Sequence, residues 1–171
     1  VTGAGGSIGS EIVRQVCAIG PAALCLVDSS EYNLYRIDAE VGEAWPAILR
    51  QARLIDVRHR VSLAECFSSF RPDIVFHAAA LKHVPLVEEN PVEGIWINAV
   101  GSRHVCDAAV AAGAHALVLI STDKAVNPAN VMGACTVPAA DTAEAIQTLS
   151  TFTMGSAIEL KIGRASCRER V

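Results

Sequence analysis

The chain has 171 residues, 51% of them hydrophobic, and a formal net charge of -4. That length and apolar content suffice to bury one sizeable core, so a single domain is expected. The body carries no basic cluster, which gives no basis for a nucleic-acid or anionic-membrane surface. No apolar run reaches membrane-spanning length and no signal peptide opens the chain. The cysteines lack zinc or C-x-x-C spacing, which points to reduced core thiols and a cytoplasmic compartment.

The chain opens on Val1-Thr2-Gly3-Ala4-Gly5-Gly6-Ser7-Ile8-Gly9. Gly3, Gly6 and Gly9 have the G-x-x-G-x-x-G spacing of a turn tight enough to wrap a dinucleotide pyrophosphate. With Ser7 and Ile8 at the turn, the helix expected over residues 10–19 aims its first N–H groups at the phosphates. Residues 22–27 form an apolar strand that ends in Asp28, about 20 residues past the last glycine, where a carboxylate accepts hydrogen bonds from adenosine ribose hydroxyls. A negative charge there repels a 2′-phosphate, so NAD is the expected cofactor; NADP stays open because Arg36 is a nearby cation able to compensate.

Further strands are expected at 52–56, 73–78 and 116–121, with helices at 62–70 and 92–112. This β-α-β order implies an α/β fold, a doubly wound parallel sheet with right-handed crossovers. The glycine turn follows directly on Val1, so the strand that carries it is expected to begin upstream, and the sheet is read as truncated at both ends.

Ligands of such sheets sit at the carboxyl ends of the strands, and the polar clusters fall there. They are Asp56-Val57, then His77-Ala78-Ala79-Ala80-Leu81-Lys82-His83-Val84-Pro85, then Ser121-Thr122-Asp123-Lys124-Ala125-Val126-Asn127-Pro128. Together with Leu26-Val27-Asp28-Ser29-Ser30-Glu31-Tyr32-Asn33-Leu34-Tyr35, Glu89-Asn90-Pro91 and Met132-Gly133-Ala134, they make residues 1–134 resemble the extended short-chain dehydrogenase/reductases. Within that superfamily the resemblance narrows to the nucleoside-diphosphate-sugar 4,6-dehydratases of the CapD-like polysaccharide biosynthesis group.

The resemblance implies a Rossmann-like NAD(P)-binding domain over residues 1–134. For the parent protein it implies a lyase acting on a UDP-N-acetylhexosamine: oxidation at C4, loss of water across C5 and C6, and hydride return to C6. It puts the acid and base at Asp123 and Lys124, with Thr122 as hydroxyl partner. By composition alone Asp123-Lys124 reads as a solvated ion pair, and the flanking motif singles it out. Met132 stands where many superfamily relatives carry a catalytic tyrosine, and a thioether exchanges no protons, which favours a dehydratase over a tyrosine-dependent epimerase.

Asp56 and Val57 match the position that reads the adenine edge, although Asp56 equally suits a turn cap. Ala78, Ala79 and Ala80 match a small-residue wall beside the cofactor, and Asn98 matches a helix asparagine near the active site. Lys82 and His83 lie where a sugar diphosphate meets the loop, with a plain exposed loop as the alternative. His59, His104 and His115 have no ligand spacing, so no metal site is expected. A UDP-sugar is the implied partner and the homo-oligomeric state stays open. Large relatives carry membrane helices ahead of this domain, so a membrane-anchored parent also stays open.

Past residue 134 the match stops. The family continues with Thr or Ser and then a Lys that grips the nicotinamide ribose, whereas this chain has Cys135 and Thr136. Pro138 then interrupts what should be a continuous helix. Residues 135–161 are read as a divergent or frameshifted segment. Residues 162–171 can be read as ATC GGA AGA GCG TCG TGT AGG GAA AGA GTG, which looks like a short-read sequencing adapter, so that tail is expected to be an assembly artefact. The leading expectation is a fragment of a UDP-N-acetylhexosamine 4,6-dehydratase. The alternatives are a sugar-nucleotide epimerase or reductase of the same superfamily, or a nucleotide-binding module without catalysis.

Overall fold

The alternation of side chains along one strand fixes the architecture. In β1 (Ala23–Asp28), Leu24 and Leu26 pack into one apolar cluster while Cys25 and Val27 pack into another on the opposite face. A strand with a period of two that is apolar on both faces must be covered on both faces. The computed structural model describes residues 1–121, 128–136 and 146–149.

The Leu24 and Leu26 face is covered by α1 (Ser7–Ile19) and α2 (Glu31–Ala44), through Val13, Cys17, Leu34, Ile37 and Val41. The other face is covered by α3 (Arg60–Phe70) and α6 (Ser102–Ala112), through Leu63, Phe67, Val105 and Ala109. α2 adds a helix to the expected set. Its Leu34, Ile37 and Val41 supply a narrow buried stripe, and the Ser30 side chain accepts a hydrogen bond from Asn33 N at 3.3 Å to start it.

Among the described residues every strand pairing is parallel. β1 pairs with β2 (Leu49–Leu54), β3 (Ile74–His77) pairs with β4 (Ala116–Ile120), and β4 pairs with β5 (Ile146–Leu149). Thr2 joins the two halves by bridging to Val27 on one side and His77 on the other. Its N–H donates to Phe76 O at 2.9 Å and its carbonyl accepts from Ala78 N at 2.9 Å. The order is therefore β2, β1, Thr2, β3, β4, β5: a doubly wound parallel sheet, as expected, in which the chain leaves Thr2 toward one side first and the other side later. That reversal opens a crevice at the strand ends on either side of Thr2.

Other elements also differ from expectation. The strand placed at 52–56 lies at 49–54, because β2 is exposed along its whole length and offers no apolar run to read. Ile55 and Asp56 are thereby released into the turn that follows. The helix expected at 92–112 is present as one continuous run whose winding changes: α5 (Pro91–Gly94) passes through a π-helical stretch, Ile95–Gly101, into α6, and a short α4 (Val84–Glu89) precedes it. β5 lies within residues 135–161 and adds a strand beside β4.

Candidate functional site

A cavity of about 200 Å³ lies at the crevice beside Thr2, lined by Gly3 and Gly6, by Asp28 and Asn33, by Asp56 and Val57, and by Ala78, Ala79, Ala80, Leu81 and Ile97. Four separate loops and the π-helical stretch thus converge on one place. Of the residues singled out in the sequence, Gly3, Gly6, Asp28, Asp56, Val57 and the three alanines meet there.

Gly3 and Gly9 are required by close approach. Gly3 has φ +70°, and a Cβ on it would come within 2.6 Å of Ala79 N. A Cβ on Gly9 would overlap the carbonyl oxygen of Gly3. At Gly6 a Cβ would meet only Gly3 O, at 3.4 Å, so neighbouring packing leaves this cleft position bare. Gly6 is also the N-cap of α1, and no side chain caps that end. The bare cleft and the uncapped helix start, with Ser7 and Ile8 in its first turn, fit a diphosphate held by backbone N–H groups.

Asp28, 8% exposed, stands at the end of β1. Its Oδ2 accepts from Gly5 N and its Oδ1 from Ser30 N, both at 2.8 Å. A carboxylate has about four acceptor sites, so two remain for hydroxyl donors in the cleft. Gly5 is a residue that the glycine spacing alone overlooks. A Cβ there would lie 2.5 Å from Asn33 Cβ, so its bareness lets the start of α2 close against the turn and lets its N–H reach Asp28. The adjacent pair Gly5-Gly6 was the available signal.

Asp56 caps its own turn by accepting from Arg58 N at 2.9 Å, and it is also held by the Arg58 side chain. The hydrogen-bonded guanidinium keeps its carboxyl below the usual carboxylate range. Asp56 thus caps its turn, as one of its two sequence readings has it, and the same residue lines the cleft.

Asn98, 2% exposed, does not line the cleft. Its Oδ1 accepts from Leu81 N at 2.8 Å and its Nδ2 donates to Leu81 O at 2.9 Å, so the amide is spent on fixing the backbone of the cleft wall. The π-helical winding of Ile95–Gly101 carries Asn98, and such insertions reorient one side chain without ending the helix. Lys82 and His83 are exposed beyond that wall, His83 serving as N-cap of α4. Met132 is buried, 3% exposed, in α7 (Val131–Thr136). The first turn of α7 is held by Asn130 Oδ1, which accepts from Gly133 N, and by Glu88 Oε1, which accepts from Val131 N. Thr122, Asp123 and Lys124 lie outside the described residues.

His77 entered the sequence reading only as the start of a polar cluster, with no role of its own, yet it links the two sides of the cleft. It is 1% exposed and contacts Thr2 Oγ1 through Nδ1 at 2.7 Å and Ser102 Oγ through Nε2 at 2.8 Å. Ser102 Oγ donates its one proton to Asn98 O at 2.6 Å, so it must accept from His77 Nε2–H. Nδ1 is then the acceptor for the Thr2 hydroxyl. This chain runs from the residue before Gly3 to the asparagine that holds Leu81. Burial pushes the imidazole down to about 4, so it is neutral at ordinary pH.

Among the described residues, no helix is long and apolar enough to cross a membrane. The cysteines at 17, 25, 66, 106 and 135 are buried and free.

The family model described as polysaccharide biosynthesis protein matches residues 1–157. EpsC of Bacillus subtilis, a probable polysaccharide biosynthesis protein, is 46% identical over 135 residues, covering 78% of this chain and 23% of EpsC. A UDP-glucose 4-epimerase of Rickettsia conorii is 34% identical over 137 residues, covering 78% of this chain and 38% of that protein. An inverting UDP-N-acetylglucosamine 4,6-dehydratase of Campylobacter jejuni is 44% identical over 79 residues, covering 46% of this chain and 23% of that protein. The chain therefore spans well under half the length of each of these relatives. Among solved structures, DesIV of Streptomyces venezuelae, a dTDP-glucose 4,6-dehydratase with NAD bound, superposes with a TM-score of 0.70 at 25% identity, over 81% of this chain and 48% of that one.

Proposed function

The chain belongs to the polysaccharide biosynthesis protein family, among the nucleotide-sugar dehydratases and epimerases of the extended short-chain dehydrogenase/reductase group, and from that premise we propose that it is the cofactor-binding part of an NAD-dependent UDP-N-acetylhexosamine 4,6-dehydratase. The observation that carries the nucleotide reading is the bare glycine turn feeding an uncapped helix opposite Asp28, which keeps two acceptor sites open to the cleft.

In this reading the amides around Gly6, Ser7 and Ile8 hold the pyrophosphate. Asp28 accepts from the adenosine ribose, and Asp56 with Val57 meets the adenine edge. Ala78, Ala79 and Ala80 form a wall that admits a flat ring because no longer side chain fills the space, and Asn98 keeps that wall in place through Leu81. Lys82 and His83 sit where the loop meets the sugar diphosphate. Bound NAD supplies a reversible hydride acceptor. Asp123 and Lys124, with Thr122, hold and move the protons at C5 and at the departing C6 hydroxyl, and Met132 takes no part in proton transfer.

The comparison with the Rickettsia epimerase favours a second reading, epimerisation at C4, because that match runs through 78% of this chain. Mass spectrometry separates the two. A full-length protein carrying these residues, given UDP-N-acetylglucosamine and NAD, is expected to release a 4-keto-6-deoxy product lighter by one water. An isomer of unchanged mass would establish the epimerase instead.

Cofactor choice gives a second expected result. Asp28→Asn keeps an acceptor oxygen for a backbone N–H but removes the charge that opposes a 2′-phosphate. The ratio of NADP to NAD dissociation constants, measured by titration calorimetry, is expected to fall by about tenfold, the scale of one hydrogen bond to a charged group. An unchanged ratio would remove Asp28 from the ribose site.

A further inference from the structure

Arg58 makes more contacts with Asp56 than a turn requires. Besides the backbone N–H to Asp56 Oδ1, Arg58 Nε lies 3.0 Å from both Oδ1 and Oδ2, and Nη2 lies 2.6 Å from Oδ2. The remaining arm, Nη1, reaches Glu93 Oε2 on α5 at 2.7 Å. Arg58 thus joins the turn after β2 to the element that leads into the π-helical stretch, from which Ile97 lines the cleft and Asn98 holds Leu81. Three N–H donors occupy the Asp56 carboxylate, and about four acceptor sites exist on such a group. One site is left. A planar guanidinium held at both ends fixes where that site points, which a flexible point charge does not.

We propose that Arg58 is a positioning residue for base recognition: braced by Glu93, it aims the single remaining acceptor site of Asp56 into the cleft and so selects a base with an exocyclic amino group, as in adenine. This rests on the cofactor reading above. Asp56, ionised beside the guanidinium, accepts but does not donate. An amino group at the base edge satisfies it, whereas a carbonyl oxygen in the same place sets lone pair against lone pair in a partly desolvated site. Sites built to hydrogen-bond one group reject the analogue that lacks it.

The test uses the 171-residue chain, titrated with NAD and with its hypoxanthine analogue, in which a carbonyl oxygen replaces the amino group. The unsubstituted chain is expected to bind NAD at least about tenfold more tightly than the analogue. Arg58→Met is expected to bring the two affinities to within about threefold, and Arg58→Lys, which retains charge without the fork, is expected to fail to restore the difference. Glu93→Gln, which leaves Asp56 untouched, should give an intermediate ratio and carries the test if Arg58→Met does not fold. A purely structural role would weaken both nucleotides alike and leave their ratio unchanged, and that result would overturn the proposal. Equal binding of both nucleotides by the unsubstituted chain would also overturn it while leaving the cofactor reading intact. Binding of neither would overturn both.

Discussion

Gly9→Ala is expected to destabilise the fold by at least about 3 kcal/mol and to abolish detectable NAD binding. Inserting a methyl group into a packed site costs about 1–3 kcal/mol when side chains can yield. Here the added Cβ would overlap the carbonyl oxygen of Gly3 and lie 2.7 Å from its carbonyl carbon, so no rotamer change relieves the clash. Relief requires α1 to move away from the turn. That movement is opposed by Val13 and Cys17, 0% and 2% exposed, which anchor the helix in the cluster around Leu24 and Leu26. It would also disturb the hydrogen bonds from Ala4 N to Val27 O and from Gly6 N to Gly3 O that shape the cleft. Urea melts and NAD titration of the substituted chain check both halves. Native-like stability with NAD affinity retained would mean that the turn and α1 are not in contact at Gly9.

The second large effect is a pH dependence of stability carried by His77. In the folded chain burial holds its imidazole at about 4, against about 6.5 for an unfolded histidine. Above pH 6.5 neither state carries the proton and the full contribution is present. Between about 6.5 and 4 the unfolded state binds a proton that the folded state refuses, so stability falls by about 1.4 kcal/mol per pH unit as the pH drops, roughly 3 kcal/mol in total. Near pH 7, His77→Leu removes an acceptor from the buried Thr2 hydroxyl and a donor from Ser102, for an expected loss of about 2–4 kcal/mol. The same substitution should flatten the stability profile between pH 4 and 6.5. Denaturation curves measured across that range in both proteins provide the check, and an equally steep fall in His77→Leu would assign the titration to another group.

Some of the site was legible because its signals are local. The spacing of Gly3, Gly6 and Gly9 records a backbone geometry needed within nine consecutive residues, and Asp28 follows an apolar strand that any two-sided burial would demand. The alternation of strands and helices gave the parallel, doubly wound sheet for the same reason. β2 was misplaced because it is exposed throughout: its pairing with β1, from Ala23 opposite Leu49 to Asp28 opposite Leu54, is made by backbone groups that leave no pattern in the side chains.

Glycine spacing, strand periodicity and the acidic residue at a strand end are properties of neighbours along the chain, so the sequence by itself determined the parallel sheet, the nucleotide-shaped turn and the place of Asp28. The tertiary structure alone decided what those groups do to one another. It set Asn33 against Gly5, joined Arg58 to Glu93, turned Asn98 onto Leu81 by a π-helical winding, and enclosed His77 between Thr2 and Ser102. Each of these last contacts depends on a direction and a distance between residues on different elements. A hydrogen bond weakens steeply with misalignment, so such pairings exist only once the sheet and its covering helices have fixed both partners.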